Sequence, residues 1–176
     1  IGFNGGHGAS TILDEGSVEE FVSFDICRWG YEKEAWTILH DEFGYNVSIV
    51  VGDSVETVPI YHKQNPDKKF DLIVVDGNHF GDHPYLDLMN VFPMLSDTGL
   101  ILMDDLNVPE VKIGFEKFIK LNQEHCAFAI PNNPVEQFLP ESTILKYPRL
   151  KPVKDSHLAP IDKDCVICWR RNRINP

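Results

Sequence analysis

Phe70-Asp-Leu-Ile-Val-Val-Asp-Gly-Asn-His79 runs from an apolar stretch straight into a polar cluster. Leu72 to Val75 are aliphatic and mostly β-branched, as a strand covered on both faces requires. The same transition recurs along the chain. Phe21-Val-Ser-Phe-Asp25, Val47-Ser-Ile-Val-Val51 and Gly99-Leu-Ile-Leu-Met103 read as further strands. Tyr31 to Phe43, Ser54 to Lys63 and His83 to Leu95 lie between them and mix charge with apolar spacing, the pattern of helices. Pro109 opens one more helix, through Gln123. Its Val111, Phe115, Phe118, Ile119 and Leu121 are expected to face a core, and Lys112, Glu116, Lys117 and Lys120 to face water. Strand–helix alternation implies right-handed crossovers and a doubly wound, parallel α/β sheet.

Beyond Gln123 the pattern weakens. Ala127 to Ile130 reads as a strand and Cys165 to Arg170 as the last one. Between them Pro131, Pro134, Pro140, Pro148, Pro152 and Pro160 predict an irregular Pro-rich loop or lid over residues 131–160. The length of 176 residues fits a single domain, 1–176. Net charge is −11, so a phosphate backbone is repelled and nucleic acid is not an expected partner. Arg170-Arg171-Asn172-Arg173 is the exception and reads as a solvated terminus. Cys27, Cys126, Cys165 and Cys168 make no dense framework, which favours a reducing, cytoplasmic setting. The CxxC spacing of Cys165 and Cys168 lies within a strand, where the two side chains take opposite faces, so both read as core residues. No run is apolar and long enough to span a bilayer, so no membrane partner is expected. The chain opens at Ile1, directly before a glycine cluster that normally follows a buried strand. An N-terminally truncated domain is therefore expected.

In doubly wound sheets ligands bind beyond the carboxyl ends of the strands. The polar residues gather at those ends. Gly2-Phe-Asn-Gly-Gly-His-Gly8 precedes a helix. Asp25, Gly52-Asp53-Ser54, Asp76-Gly-Asn-His79 and Asp104-Asp105 each close a strand. Glycines let a ligand approach the backbone closely. A dinucleotide fingerprint would need a third glycine, but Gly6-His7-Gly8 is followed by Ala, Ser and Thr. A phosphate loop would need a Gly-Lys-Ser/Thr ending, which is absent. An adenosylmethionine loop has neither requirement. Asp25 then suits ribose hydroxyls, and Asp53 suits an adenine amino group. The structural alternatives are a strand-end or capping role for Asp25 and an N-cap role for Asp53 beside Ser54.

These motifs, Ile1 to Ser10, Val22 to Ile26, Val51 to Ser54, Ile73 to His79 and Gly99 to Asp105, resemble the successive motifs of class I S-adenosyl-L-methionine-dependent methyltransferases. They are most similar to the small-molecule O-methyltransferases that include the catechol and macrocin enzymes. The resemblance covers roughly residues 1 to 110. It includes Asp87-Leu88 and Pro93-Met-Leu95 within the Asp76 to Asp105 pattern. It implies a mostly parallel, seven-stranded Rossmann-like sheet with helices on both faces. It also implies S-adenosyl-L-methionine as cofactor, bound by Gly2, Asn4, Gly6, Asp25, Ile26, Asp53, Ser54 and Asp76. The acid expected just before Ile1 is not in this chain, and Gly8 stands where relatives often carry Ser.

Asp76, Asp104 and Asp105 come from neighbouring strand ends and would repel one another without a cation. Such hard oxygen ligands suit Mg²⁺, and the resemblance to the catechol-type enzymes, whose equivalent positions hold such a metal, implies the same here. His79 stands where the catechol enzyme carries a lysine base, so His79 and Asp76 are the expected catalytic residues. A histidine titrates near neutral pH and suits proton removal from a hydroxyl. Alternatives are a loop-stabilising role for His79, a transition-metal set of His79, Asp82 and His83, and capping roles for Asp104 and Asp105. His7 faces either cofactor or water. Trp29, Phe80 and Tyr85 are either acceptor-wall or core residues. The expected activity is Mg²⁺-assisted O-methylation of a small hydroxylated acceptor. The rivals are a degenerate methyltransferase-like binding domain and an NAD-binding oxidoreductase. Sugar, phenol and carboxyl acceptors all stay open, as does the choice between monomer and homo-oligomer.

Overall fold

The structure, a computed structural model, describes residues 1–14, 18–44, 46–122, 125–129 and 166–170. It divides into two compact units, residues 1–66 and 67–176. The predicted Pro-rich loop at 131–160 lies outside the described residues, as do Cys165 and Ile130.

The first unit begins with the glycine loop and α1 (His7–Leu13). It continues through β1 (Phe21–Asp25), α2 (Tyr31–Phe43), β2 (Val47–Val51) and α3 (Ser54–Gln64). β1 and β2 pair in parallel, with Phe21 opposite Val47 and Asp25 opposite Val51. Both strands therefore end at the same edge. Phe3, Ala9, Leu13, Leu39 and Val47 form a core against which Ala35, Trp36 and Phe43 of α2 pack. Gly6 caps α1 with φ 77°, and a Cβ there would stand 3.2 Å from both Leu39 Cδ1 and Phe3 Cζ. Glycine alone satisfies both the left-handed backbone and the close packing.

The second unit contains β3 (Phe70–Val75), α4 (His83–Val91), a 3-10 turn (Phe92–Met94), β4 (Leu95–Met103), α5 (Pro109–Asn122), β5 (Cys126–Ala129) and β6 (Val166–Arg170). Its sheet runs β3-β4-β6-β5. β3 and β4 are parallel, and β6 is antiparallel to both β4 and β5. Ile73, Val75, Leu88, Leu100, Ile101, Met103, Phe115, Phe118 and Cys168 are buried. α5 presses on α4 through Gly114, where a Cβ would lie 2.9 Å from the Tyr85 amide nitrogen. Arg170 donates to the carbonyls of Phe92 and Leu95 and stacks over the Phe92 ring, pinning the 3-10 turn to β6.

The predicted strands at Phe21–Asp25, Val47–Val51 and Phe70–Val75 have those bounds in the structure. Two bounds are off by several residues. The helix expected to reach Leu95 ends at Val91, because Pro93 forces a tighter 3-10 turn. The strand expected from Gly99 begins at Leu95, which pairs with Phe70. In α5, Leu121 is exposed, whereas Val111, Phe115 and Phe118 are buried as expected.

Candidate functional site

In the first unit the glycine loop is held by the end of β1. Asp25 Oδ2 accepts the amide N–H groups of Phe3, at 2.7 Å, and Asn4, at 3.0 Å. Oδ1 accepts the amide of Cys27 at 2.7 Å. Gly2 donates to the Phe24 carbonyl at 2.9 Å. The loop needs these anchors because Gly2, Asn4 and Gly6 all have positive φ, a conformation an isolated chain resists at non-glycine positions. Asp25 is thus an organiser of the loop. Ile26 is exposed next to it. Asp53 is the N-cap of α3, its side chain accepting from the Val55 amide at 3.0 Å, and Ser54 is buried behind it. His7 is exposed.

The sequence offered no signal for two further residues, Tyr31 and Glu32. Tyr31 donates its hydroxyl to Asn4 Oδ1 at 2.6 Å. Glu32 is only 1% exposed although it carries a charge. Its Oε1 accepts the Trp29 amide at 2.9 Å, which fixes the turn between β1 and α2, while Oε2 is buried without a hydrogen-bond partner. The Cys27 thiol is pushed up by burial, then by the charges of Asp25 and Glu32, so it stays protonated at neutral pH. Trp29 is 71% exposed.

In the second unit the ends of β3 and β4 deliver the acidic cluster. His79 Nε2 lies 3.1 Å from Asp105 Oδ2 and 3.6 Å from Asp76 Oδ1. The nitrogen is buried, and neither approach has hydrogen-bond geometry. Asp76, His79 and Asp105 each offer one ligand atom, all within 4.8 Å of one another. Asp104 extends the β3–β4 ladder, its amide donating to the Val75 carbonyl at 3.1 Å. Its Oδ1 accepts the Asp105 amide at 2.9 Å, and Asp105 turns into the left-handed region at φ 57°. Burial, then the charges of Asp104 and Asp105, raises the Asp76 carboxyl above the ordinary carboxylate range, with His79 partly offsetting them.

Of the predicted acidic trio, the structure therefore gathers Asp76 and Asp105, adds His79, and keeps Asp104 alongside on its neighbour's amide. An orphaned, buried imidazole nitrogen between two carboxylates is the donor set a divalent cation fits. The alternative set with Asp82 and His83 is not assembled. Asp82 pairs with Lys117 at 3.1 Å, and His83 Nδ1 faces the Phe80 carbonyl at 3.2 Å. Asp87 is buried in α4. Phe80 is exposed and Tyr85 packs under Lys117.

A family model described as a methyltransferase domain matches residues 1–106. No curated protein matches the chain. Among solved structures, the chain is similar to apo CalS11, a TDP-rhamnose 3′-O-methyltransferase of calicheamicin biosynthesis. The TM-score is 0.60 at 22% identity, over 76% of this chain and 66% of that one. It is also similar to fibrillarin of Aeropyrum pernix in complex with S-adenosyl-L-methionine. There the TM-score is 0.55 at 14% identity, over 97% of this chain and 64% of that one. The chain spans just under two thirds of the length of these structures. At such identities the likeness establishes a Rossmann-like methyltransferase fold. With the family model matching well over half of its length, the chain belongs to the methyltransferase-domain family.

Proposed function

We propose that residues 1–176 are one methyltransferase domain that transfers a methyl group from S-adenosyl-L-methionine to an oxygen of a small hydroxylated acceptor. The observation that carries this reading is His79 Nε2, buried against Asp76 and Asp105 at the ends of parallel strands. When bound, the cofactor supplies an electrophilic methyl group, and a divalent cation such as Mg²⁺ acidifies and orients a hydroxyl.

The chain's own residues do the rest. Gly2, Asn4 and Gly6 shape a loop open to close approach, and Asp25 holds it. Ile26, Asp53 and Ser54 line the neighbouring strand ends. Asp76 and Asp105, with Asp104 beside them, supply oxygen ligands to the cation. His79 takes the hydroxyl proton, the role of a general base. The net charge of −11 favours a small acceptor over a nucleic acid, and the sparse cysteines favour a cytoplasmic setting. Among the described residues no helix is long and apolar enough to cross a membrane.

Calorimetry with S-adenosylhomocysteine tests the cofactor half of this reading, and absence of binding refutes it. Asp104→Asn and Asp105→Asn test the other half. Both should abolish cation-dependent transfer while leaving cofactor affinity nearly unchanged. A second reading has one specific observation in its favour. His79 Nε2 sits at ligand-set distance, so it also suits direct coordination of a transition metal. Cation titration of His79→Gln separates the two, since only a ligand role costs affinity.

A further inference from the structure

Phe80 follows His79 directly, and it is 75% exposed. A single exposed apolar side chain is ordinary, so exposure alone decides nothing. The setting decides more. Among the described residues of the second unit, Leu72, Ile113 and Leu121 are also exposed, but Phe80 is the only aromatic one and the most exposed. It is also the one that sits beside the acidic cluster.

The loop that carries Phe80 is held on both sides of it. Its N–H donates to Asn78 Oδ1 at 3.1 Å. Its carbonyl accepts the His83 amide at 3.4 Å and faces His83 Nδ1 at 3.2 Å. Asp82, two residues on, pairs with Lys117 of α5 at 3.1 Å. Gly81 adds no side chain between these anchors, and a Cβ there would meet nothing within 4 Å. Both backbone polar groups of Phe80 are therefore engaged, and the residue adds only hydrocarbon to the surface. Consecutive Cα atoms lie about 3.8 Å apart, so this apolar ring is fixed one step from the proton acceptor.

An acceptor has a reactive hydroxyl and a framework that bears it. Asp76, His79, Asp104 and Asp105 can receive the hydroxyl, and the framework then lies next to them. A sugar framework carries further hydroxyls, which would lose water against a ring that offers them no hydrogen bond. An aromatic framework has no such loss and gains ring stacking beyond the area it buries. We infer that Phe80 stacks on an aromatic framework of the acceptor, so that the hydroxyl methylated is phenolic. The inference rests on the O-methylation reading above and narrows its acceptor class.

The test is equilibrium binding of three probes with S-adenosylhomocysteine and Mg²⁺ present. 2-Naphthol is phenolic, decahydro-2-naphthol is its saturated counterpart, and methyl glucopyranoside carries its hydroxyls on a sugar. The wild type should bind 2-naphthol most tightly. Phe80→Ser should weaken 2-naphthol about tenfold and Phe80→Leu about threefold, while Phe80→Trp keeps the wild-type affinity. The saturated alcohol should lose less than 2-naphthol in both weakened variants, and S-adenosylhomocysteine affinity should be the same in all four proteins. Unchanged 2-naphthol binding in Phe80→Ser, or equal losses on the two bicyclic probes, would overturn the inference. So would a wild type that prefers the saturated alcohol or the sugar. A wild type that binds S-adenosylhomocysteine but not 2-naphthol overturns the inference and leaves the cofactor reading standing. A wild type that does not bind S-adenosylhomocysteine refutes the cofactor reading itself, and the inference with it.

Discussion

His79 Nε2 and Asp105 Oδ2 stand 3.1 Å apart although the residues belong to different strand ends. The pair joins the loop after β3 to the turn after β4. With His79 as proton acceptor, His79→Gln lowers transfer to a screened hydroxylated acceptor by about 10²- to 10⁴-fold. Cofactor affinity stays as in the wild type. A wild-type rate in this variant would remove His79 from the proton transfer.

Asp76 gives the cation-free protein a defined pH dependence. Its carboxyl is raised, by burial first and by Asp104 and Asp105 next. The folded state therefore holds this proton more tightly than the unfolded chain. That contribution is fully present below the ordinary carboxylate range and is lost as pH rises through the elevated value. Asp76→Asn should accordingly melt higher than the wild type at neutral pH without cation, and the difference should shrink on acidification. Added divalent cation should raise the wild-type melting temperature most at neutral pH. Melting curves at several pH values, with and without Mg²⁺, check both statements.

Gly6→Ala combines a left-handed backbone with two contacts at 3.2 Å. The expected cost is roughly 1–3 kcal/mol, read as a lower denaturation midpoint at unchanged slope. Gly8→Ala is the control, since a Cβ there meets nothing within 4 Å.

Asp25→Asn places an amide NH₂ where backbone N–H groups now converge. About 1–3 kcal/mol should be lost locally through an unsatisfied donor. Hydrogen exchange at Phe3, Asn4 and Cys27 should speed up, while exchange in β4 stays as it is.

What was legible in the sequence follows how local each cause is. β1, β2 and β3 are short, mostly apolar runs that end in or just before an aspartate, so their ends could be read directly. The start of β4 could not. Leu95-Ser-Asp-Thr-Gly99 looks like a turn, and it is held extended by pairing with Phe70 and by the Ser96 hydroxyl on Asp71. Strand-end carboxylates were equally visible, but their partners were not. Asp104 and Asp105 are indistinguishable as letters. The left-handed turn at Asp105 separates their roles, leaving one carboxylate on a backbone amide and the other beside His79. The bond between Tyr31 and Asn4 spans 27 positions and has no local signature.

The antiparallel β6 has a consequence for how the protein is made. It is hydrogen-bonded between β4 and β5, with Leu100 opposite Trp169 and Ala127 opposite Trp169 on the other side. A chain leaving the ribosome therefore presents β4 with one unsatisfied edge until residues 166–170 emerge. Such long-range pairing is slow and leaves the edge open to wrong partners. Synthesis that stalls before Val166 should yield an aggregation-prone nascent chain, even though the glycine loop and the acidic cluster have already been translated.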